Sequence, residues 1–206
     1  MIAVLDYGIG NLRSAEKALQ HLGLDAALTT DPAVARNAAG VVLPGVGAFG
    51  RCMEQLRESG LEPVVHEAVE SGKPFLGICV GMQMLFDTSE EAPGVKGLGI
   101  FAGEVRRLRT AERLPHMGWN TLTIRHGSIL FDGIDNGSWL YFVHSYAPAP
   151  GDDAVIAATT DYGGEVVAAV EQGHVWATQF HPEKSAANGL RLLSNFARAC
   201  AGQQET

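Results

Sequence analysis

The run Val41-Val42-Leu43 is apolar on three consecutive positions, and this constrains the fold more than any other feature of the chain. A strand with one wet side alternates apolar and polar residues. One that does not alternate must be covered on both faces, as in a parallel sheet between layers of helices. The neighbouring sequence agrees. Ile2-Ala3-Val4-Leu5 is a short apolar run ending in the turn Asp6-Tyr7-Gly8-Ile9-Gly10. Asn11 is then placed to cap a helix whose apolar positions Leu12, Ala15, Leu19 and Leu22 recur at helical spacing, and Gly23 stops it. A second strand is expected near 24–28, helices around 52–58 and 63–70, and a fourth strand at Phe75-Leu76-Gly77-Ile78. Short strands alternating with helices are βαβ units.

The second half reads differently. Strands are expected at 119–124, 139–143, 154–159, 165–170 and 174–180, with turns such as Gly163-Gly164 and Gln172-Gly173 between them. A closing helix near 186–200 carries Leu190, Leu192, Leu193 and Phe196. The expected fold is therefore α/β, with a mainly parallel central sheet, helices on both faces and an antiparallel extension in the C-terminal half. No repeat or linker interrupts residues 1–206, so one domain is expected.

Composition narrows the function. With 46% hydrophobic and 18% charged residues the chain can bury a substantial core, and its formal net charge of −8 argues against nucleic acid or an anionic membrane as partner. No run approaches the roughly 18 apolar residues that span a bilayer, and no basic segment precedes the first apolar run. Cys52, Cys79 and Cys200 cannot all be paired in disulfides, which points to a reducing cytoplasm where a thiol stays reactive.

Only one of those thiols has the setting of a nucleophile. Gly77-Ile78-Cys79-Val80-Gly81 has the G-x-nucleophile-x-G form of an elbow, in which a sharp strand-to-helix turn strains the reactive residue. Flanking glycines let that turn approach neighbouring backbone. The segment 81–86 reads as the following helix, whose first N–H groups favour a thiolate. Cys52 and Cys200 lie in helical patterns without flanking glycines and read as small apolar residues.

A thiol nucleophile needs a base, and the base needs an orienter. His181-Pro182-Glu183 ends a strand, and the proline turns the chain at once, holding imidazole and carboxylate near each other. The other six histidines lack this arrangement. Acyl transfer also requires donors for a developing oxyanion. The Val80 N–H is placed to be one, and Pro44-Gly45-Val46-Gly47-Ala48-Phe49-Gly50, a glycine-rich loop at the carboxyl end of the third strand, is placed to supply another. No Gly-Lys-Ser/Thr follows this loop, so it is not a Walker loop.

These segments resemble the class I (triad) glutamine amidotransferases, through Gly77-Ile78-Cys79-Val80-Gly81-Met82-Gln83, Pro44-Gly45-Val46-Gly47 and His181-Pro182-Glu183. Within that family the chain is most similar to the glutaminase subunits of imidazole glycerol phosphate synthase, of histidine biosynthesis. That resemblance rests on the segments 6–14, Pro115-His116-Met117-Gly118-Trp119-Asn120, Tyr141-Phe142-Val143-His144-Ser145-Tyr146 and Pro182-Glu183-Lys184-Ser185. It implies a Cys79–His181–Glu183 triad and oxyanion donors at Gly47 and Val80. It also implies glutamine contacts at Gly45, Val46, Gln83, Ser145 and Tyr146, and a cyclase subunit docked on Asn11, Trp119, Tyr141 and Lys184 as the partner of a heterodimer. No cofactor or metal is implied, and the chain carries neither C-x-x-C nor H-E-x-x-H. Two departures are visible: Val80 stands where leucine is common, and Ala147 where a second tyrosine often follows. Without the resemblance, Trp119 and Tyr141 read as core aromatics. A glutaminase serving another synthase (of anthranilate or pyridoxal phosphate) and a non-enzymatic α/β protein with a packing or redox-sensing cysteine are the alternatives. The permissive glycines at 45 and 47 further suggest an oxyanion strand that is misaligned until the partner binds its nucleotide.

Overall fold

The computed structural model describes residues 1–9, 12–125 and 127–202. The first half is β1 (Ile2–Leu5), α1 (Leu12–His21), β2 (Ala26–Thr29), α2 (Pro32–Arg36), β3 (Gly40–Gly45), α3 (Phe49–Glu58), α4 (Glu62–Glu70), β4 (Phe75–Cys79) and α5 (Val80–Gln83). The second half is β5 (Phe86–Ser89), β6 (Phe101–Arg107), β7 (His116–Thr121), β8 (Thr123–Ile124), β9 (Trp139–His144), β10 (Tyr146–Pro150), β11 (Ile156–Asp161), β12 (Glu165–Gln172), β13 (Val175–Thr178) and α6 (Ala186–Gly202).

The central sheet has eight strands in the order β2-β1-β3-β4-β13-β12-β11-β8. From β2 to β13 every pairing is parallel, and from β13 to β8 every pairing is antiparallel. Every residue of β1, β3, β4 and β13 is buried, as the non-alternating run at 41–43 requires. Strand order and handedness place the helices. The β1–α1–β2 crossover steps one way along the sheet and the crossovers through α2 and through α3–α4 step the other way, so right-handed connections put α1 opposite the rest. Contacts agree: α1 meets α6, and α2 meets α4. The direction reverses between β1 and β3, which opens a crevice at the carboxyl ends of β3 and β4.

Local sequence accounts for the helices. Phe49, Cys52, Met53 and Leu56 form one buried stripe on α3, and Leu12, Ala15 and Leu19 do the same on α1, which ends before Gly23 at φ +76°. The Asp31 side chain caps α2 by accepting from the Ala33 N–H at 2.8 Å, with Pro32 in the first turn. Asn11, expected to cap α1, lies outside the described residues.

Four expectations need correction. The helix expected over 81–86 is a single turn, and Phe86 begins β5. Leu85 O accepts from the N–H groups of Ile100 and Phe101, and Met84 O from Leu98, so this distant segment captures the carbonyls that a longer helix would use. The strand expected over 119–124 breaks at Leu122 into β7 and β8, which join different sheets. Strand 139–143 pairs with β7 in a two-stranded ribbon instead of extending the main sheet. Pro44 and Gly45, expected in a loop, still pair with Ile78 and Cys79. A three-stranded sheet, β10-β6-β5, was not expected from the sequence.

Candidate active site

Cys79 is the last residue of β4 and precedes the turn α5 at φ 56°, ψ −112°. A side-chain-bearing residue in such a region costs about 1–3 kcal/mol. Backbone packing holds it there. A Cβ on Gly81 would lie 1.9 Å from Leu43 O, one on Gly45 would lie 2.7 Å from Gly81 N, and one on Gly77 would lie 3.0 Å from Gly81 O. β3, β4 and the elbow therefore touch backbone to backbone; glycine is required at 45 and 81, and a side chain at 77 would be tight. The helix that follows Cys79 is a single turn, Val80–Gln83, so no long helix stands behind the sulfur.

β13 stops at Thr178, earlier than expected, and the chain crosses to β9, where the His181 N–H donates to Tyr141 O at 2.9 Å. Pro182 opens a 3₁₀ turn, Pro182–Lys184, and brings the Glu183 Oε1 to 2.8 Å from His181 Nδ1. Both side chains are buried, at 1% and 3% exposed. The carboxylate fixes the proton of His181 on Nδ1 when the ring is neutral, leaving Nε2 for the sulfur. Burial opposes a positive imidazole, but interactions with Cys79 and Glu183 outweigh it and raise the His181 pKa to about 10. Among the described residues no hydrogen bond of good geometry closes on Nε2, yet the interaction with the Cys79 sulfur is the largest influence raising the His181 pKa, ahead of Glu183.

A cavity of about 320 Å³ opens onto this pair, with Val46, Gly47, Val80, Gln83, Ser145 and Tyr146 in its wall. Those expected residues are thus brought together with Cys79 and His181. Gly45 lies beneath them, paired with Cys79 in the sheet. Gly47 is exposed at φ +89°, a backbone state that suits glycine, with nothing within 4 Å of a Cβ. Both amide hydrogens of Gln83 are engaged, by Tyr146 O and Gln179 Oε1 at 3.0 Å each, so its carbonyl oxygen is the atom left to meet a ligand's donor. Larger hollows exist, one of about 420 Å³ beside Arg106 and Arg125, but those arginines pair with Glu104 and Glu165 and no nucleophile lines it.

The other two thiols are unreactive by the same physics. Burial pushes Cys52 up to about 11 and Cys200 up to about 12. Cys52 Sγ instead donates to Val46 O at 3.3 Å, which steadies the loop beside the cavity.

Sequence reasoning missed several supports. Ser185 Oγ accepts from the Tyr141 N–H at 2.9 Å and donates to His181 O at 2.6 Å, fastening the His-Pro-Glu turn to β9. Gly189 lets α6 sit on that turn, since a Cβ there would lie 1.9 Å from Pro182 O. Glu91 lines the cavity and accepts from the Phe49 N–H at 2.7 Å. None carries a local signal beyond being an ordinary polar residue or a helical glycine. Of the expected partner-facing residues, Trp119 is 48% exposed, Tyr141 is partly buried and Lys184 is exposed, which overturns the reading of the two aromatics as core. Their rings meet edge to face at 6.0 Å. Asn11 is outside the described residues.

The family model "Glutamine amidotransferase class-I" matches residues 3–200, a span that includes the elbow, the glycine-rich strand end and the His-Pro-Glu turn. The chain belongs to the class-I glutamine amidotransferase family. It is 50% identical over 204 residues to "Imidazole glycerol phosphate synthase subunit HisH" of Syntrophotalea carbinolica, covering 95% of this chain and 98% of that protein. The protein of the same name from Methanothermobacter thermautotrophicus is 49% identical, covering 95% and 97%. Among solved structures, a "Crystal structure of glutamine amidotransferase" superposes with TM-score 0.76 at 24% identity, covering 97% of this chain and 98% of that one, and supports the fold. Among the described residues no helix of this amidotransferase is long and apolar enough to cross a membrane.

Proposed function

We propose that this chain is the glutaminase subunit of an imidazole glycerol phosphate synthase, supplying ammonia to a cyclase subunit in histidine biosynthesis. The observation that carries the chemistry is the meeting of Cys79, His181 and Glu183 at one cavity with Gly47 and Val80 in its wall. The specific assignment draws on relatives of 47–50% identity that carry that subunit name over nearly their whole length.

The reaction follows from pairing a nucleophile with a base. His181 takes the proton of the Cys79 thiol as the sulfur attacks the side-chain amide carbon of glutamine. The oxyanion is met by the Val80 and Gly47 N–H groups. His181 then gives its proton to the leaving nitrogen, the C–N bond breaks, and ammonia departs from a thioester. Neutral His181 takes a proton from water, the hydroxide displaces the sulfur, and glutamate leaves as His181 returns the proton to the sulfur. Glu183 keeps the imidazole oriented throughout. Glu91, the one carboxylate in the cavity wall among the described residues, suits the α-ammonium of glutamine. No cofactor enters these steps.

The partner reading rests on an exposed apolar face. Met117, Trp119 and Trp139 are 63%, 48% and 57% exposed on the β7–β9 ribbon, with Tyr141 between them and Lys184 nearby in sequence to His181. Tyr141 binds His181 through the backbone, so this face adjoins the site that releases ammonia. Residues 1–206 act as one domain, and the setting is cytoplasmic, where ammonia must pass directly to the cyclase before it is protonated in bulk water.

The test mixes this chain with the cyclase and its ribulosyl aminoimidazole nucleotide, with glutamine as the only nitrogen source. Formation of imidazole glycerol phosphate is expected. Glutamate release without that product would overturn the partner assignment, and no glutamate release would overturn the triad.

A further inference from the structure

A second pair of buried histidines has no part in the chemistry above, although one of them, His144, lies in the cavity wall and the other, His116, behind it. His116, on β7, and His144, on β9, face each other across the ribbon and are 3% and 6% exposed. His116 Nδ1 is 3.0 Å from His144 Nε2, His144 Nδ1 is 2.9 Å from Tyr146 O, and Asn120 Nδ2 is 3.2 Å from His116 Nε2. His116 is sandwiched by rings, with Tyr162 at 3.9 Å and Phe142 at 4.8 Å between centroids.

The partners determine where the protons are. A carbonyl oxygen only accepts, so His144 carries its hydrogen on Nδ1 and presents a bare Nε2. His116 must then donate from Nδ1, which leaves its own Nε2 bare to accept from Asn120. Asn120 Nδ2 also donates to Asp161 O at 2.8 Å, and its Oδ1 accepts from the Thr121 N–H at 2.8 Å, so the amide cannot be turned over. Every hydrogen bond in the chain points one way, toward Tyr146 O. There it meets Gln83, whose other amide hydrogen goes to Gln179 Oε1, and Gln179 Nε2 lies 3.8 Å from Cys79 Sγ. An added proton on either ring would set donor against donor, and burial independently disfavours the charge, lowering both pKa values to about 4.

We propose that His116 and His144 are positioning residues that hold the Tyr146 carbonyl, and with it the Ser145–Tyr146 wall of the glutamine cavity, in register with Gln83 beneath Cys79. The inference rests on the glutaminase reading above and adds residues that it does not use. It also ties the cavity wall to the ribbon whose outer face bears Trp119 and Tyr141.

The experiment measures kcat and KM for glutamine in the chain–cyclase complex with nucleotide present, for the wild type, His144→Leu and His144→Asn. The Asn amide can donate near the Nδ1 position, whereas Leu cannot. Expected is a rise in KM of about tenfold for His144→Leu, with kcat changed less than about threefold and His144→Asn within about threefold of wild type on both. Equal effects of Leu and Asn, large or absent, would overturn the proposal, because packing alone would then explain them. A wild-type complex that releases no glutamate fails the underlying reading instead, and the inference with it. Should the Leu variant not fold, the nitrogen NMR spectrum of the wild type decides: both rings must appear as neutral Nδ1–H tautomers, and an Nε2–H form of either one refutes the hydrogen-bond direction.

Discussion

Acid should unfold this protein earlier than its carboxylates alone would, and His116→Phe should remove about two thirds of the net extra sensitivity. Each imidazole has its pKa lowered to about 4 in the fold by burial, from an ordinary 6.5, and any charge on His116 or His181 would further oppose one on His144. The sign follows from linkage. Between pH 6.5 and 4 the unfolded chain binds protons that the folded chain refuses, so stability is present above that window and is lost as pH falls through it. From pH 7 to pH 5 each ring costs the fold about 2 kcal/mol, or about 4 kcal/mol for the pair. His181 works in the opposite sense because its pKa is raised, but most of its uptake is already complete, and it offsets only about 1 kcal/mol over the same range. The net loss of about 3 kcal/mol is a large part of an ordinary domain's stability. Urea titrations at pH 7 and pH 5 would show it as a midpoint shift on the order of 1 M. Phe at 116 keeps the stacking on Tyr162 and Phe142 but cannot be protonated, so the net loss should shrink to about 1 kcal/mol, alongside a pH-independent cost of about 1–3 kcal/mol for the acceptor left bare on His144. If the wild type loses no stability between pH 7 and 5, or His116→Phe retains the whole slope, the two rings are not held neutral by burial and the reasoning fails.

Gly81→Ala drives a Cβ to 1.9 Å from Leu43 O, and a backbone neighbour cannot rotate away; about 1–3 kcal/mol of stability and about a hundredfold in glutamine kcat/KM should be lost together, as read by urea midpoints and glutamate release. Because Cys79 holds φ at 56°, Cys79→Gly should be more stable than Cys79→Ala by about 1 kcal/mol; equal midpoints would show that the elbow is not strained. Both variants should lose glutamine-dependent synthesis in the complex while still supporting it from added ammonium salts. Trp119→Glu should weaken cyclase binding by at least about tenfold in calorimetry without changing the stability read from urea titration by more than about 0.5 kcal/mol, since the ring is half exposed on the free chain.

The sequence by itself determined what is local or periodic. The unbroken apolar runs specified a parallel sheet because only burial on both faces tolerates them, and Gly77, Gly81 and Pro182 marked the two turns that carry Cys79 and His181, because those turns need particular backbone freedom or rigidity at fixed offsets. Tertiary structure alone decided matters settled by partners far along the chain. The helix after Cys79 stops after one turn because carbonyls at 84 and 85 pair with residues 98–101. Trp119 faces solvent and His116 faces inward because β7 pairs with β9 rather than with the main sheet, and a strand's two faces differ only once its partner is known. Gly189 and Ser185 look like unremarkable residues of a helix and its approach until the fold sets them against Pro182 and His181. The direction of the hydrogen bonds from Asn120 to Tyr146 lies deepest of all, since it depends on which atom of each group meets which, and five separate strands and turns had to come together to decide it.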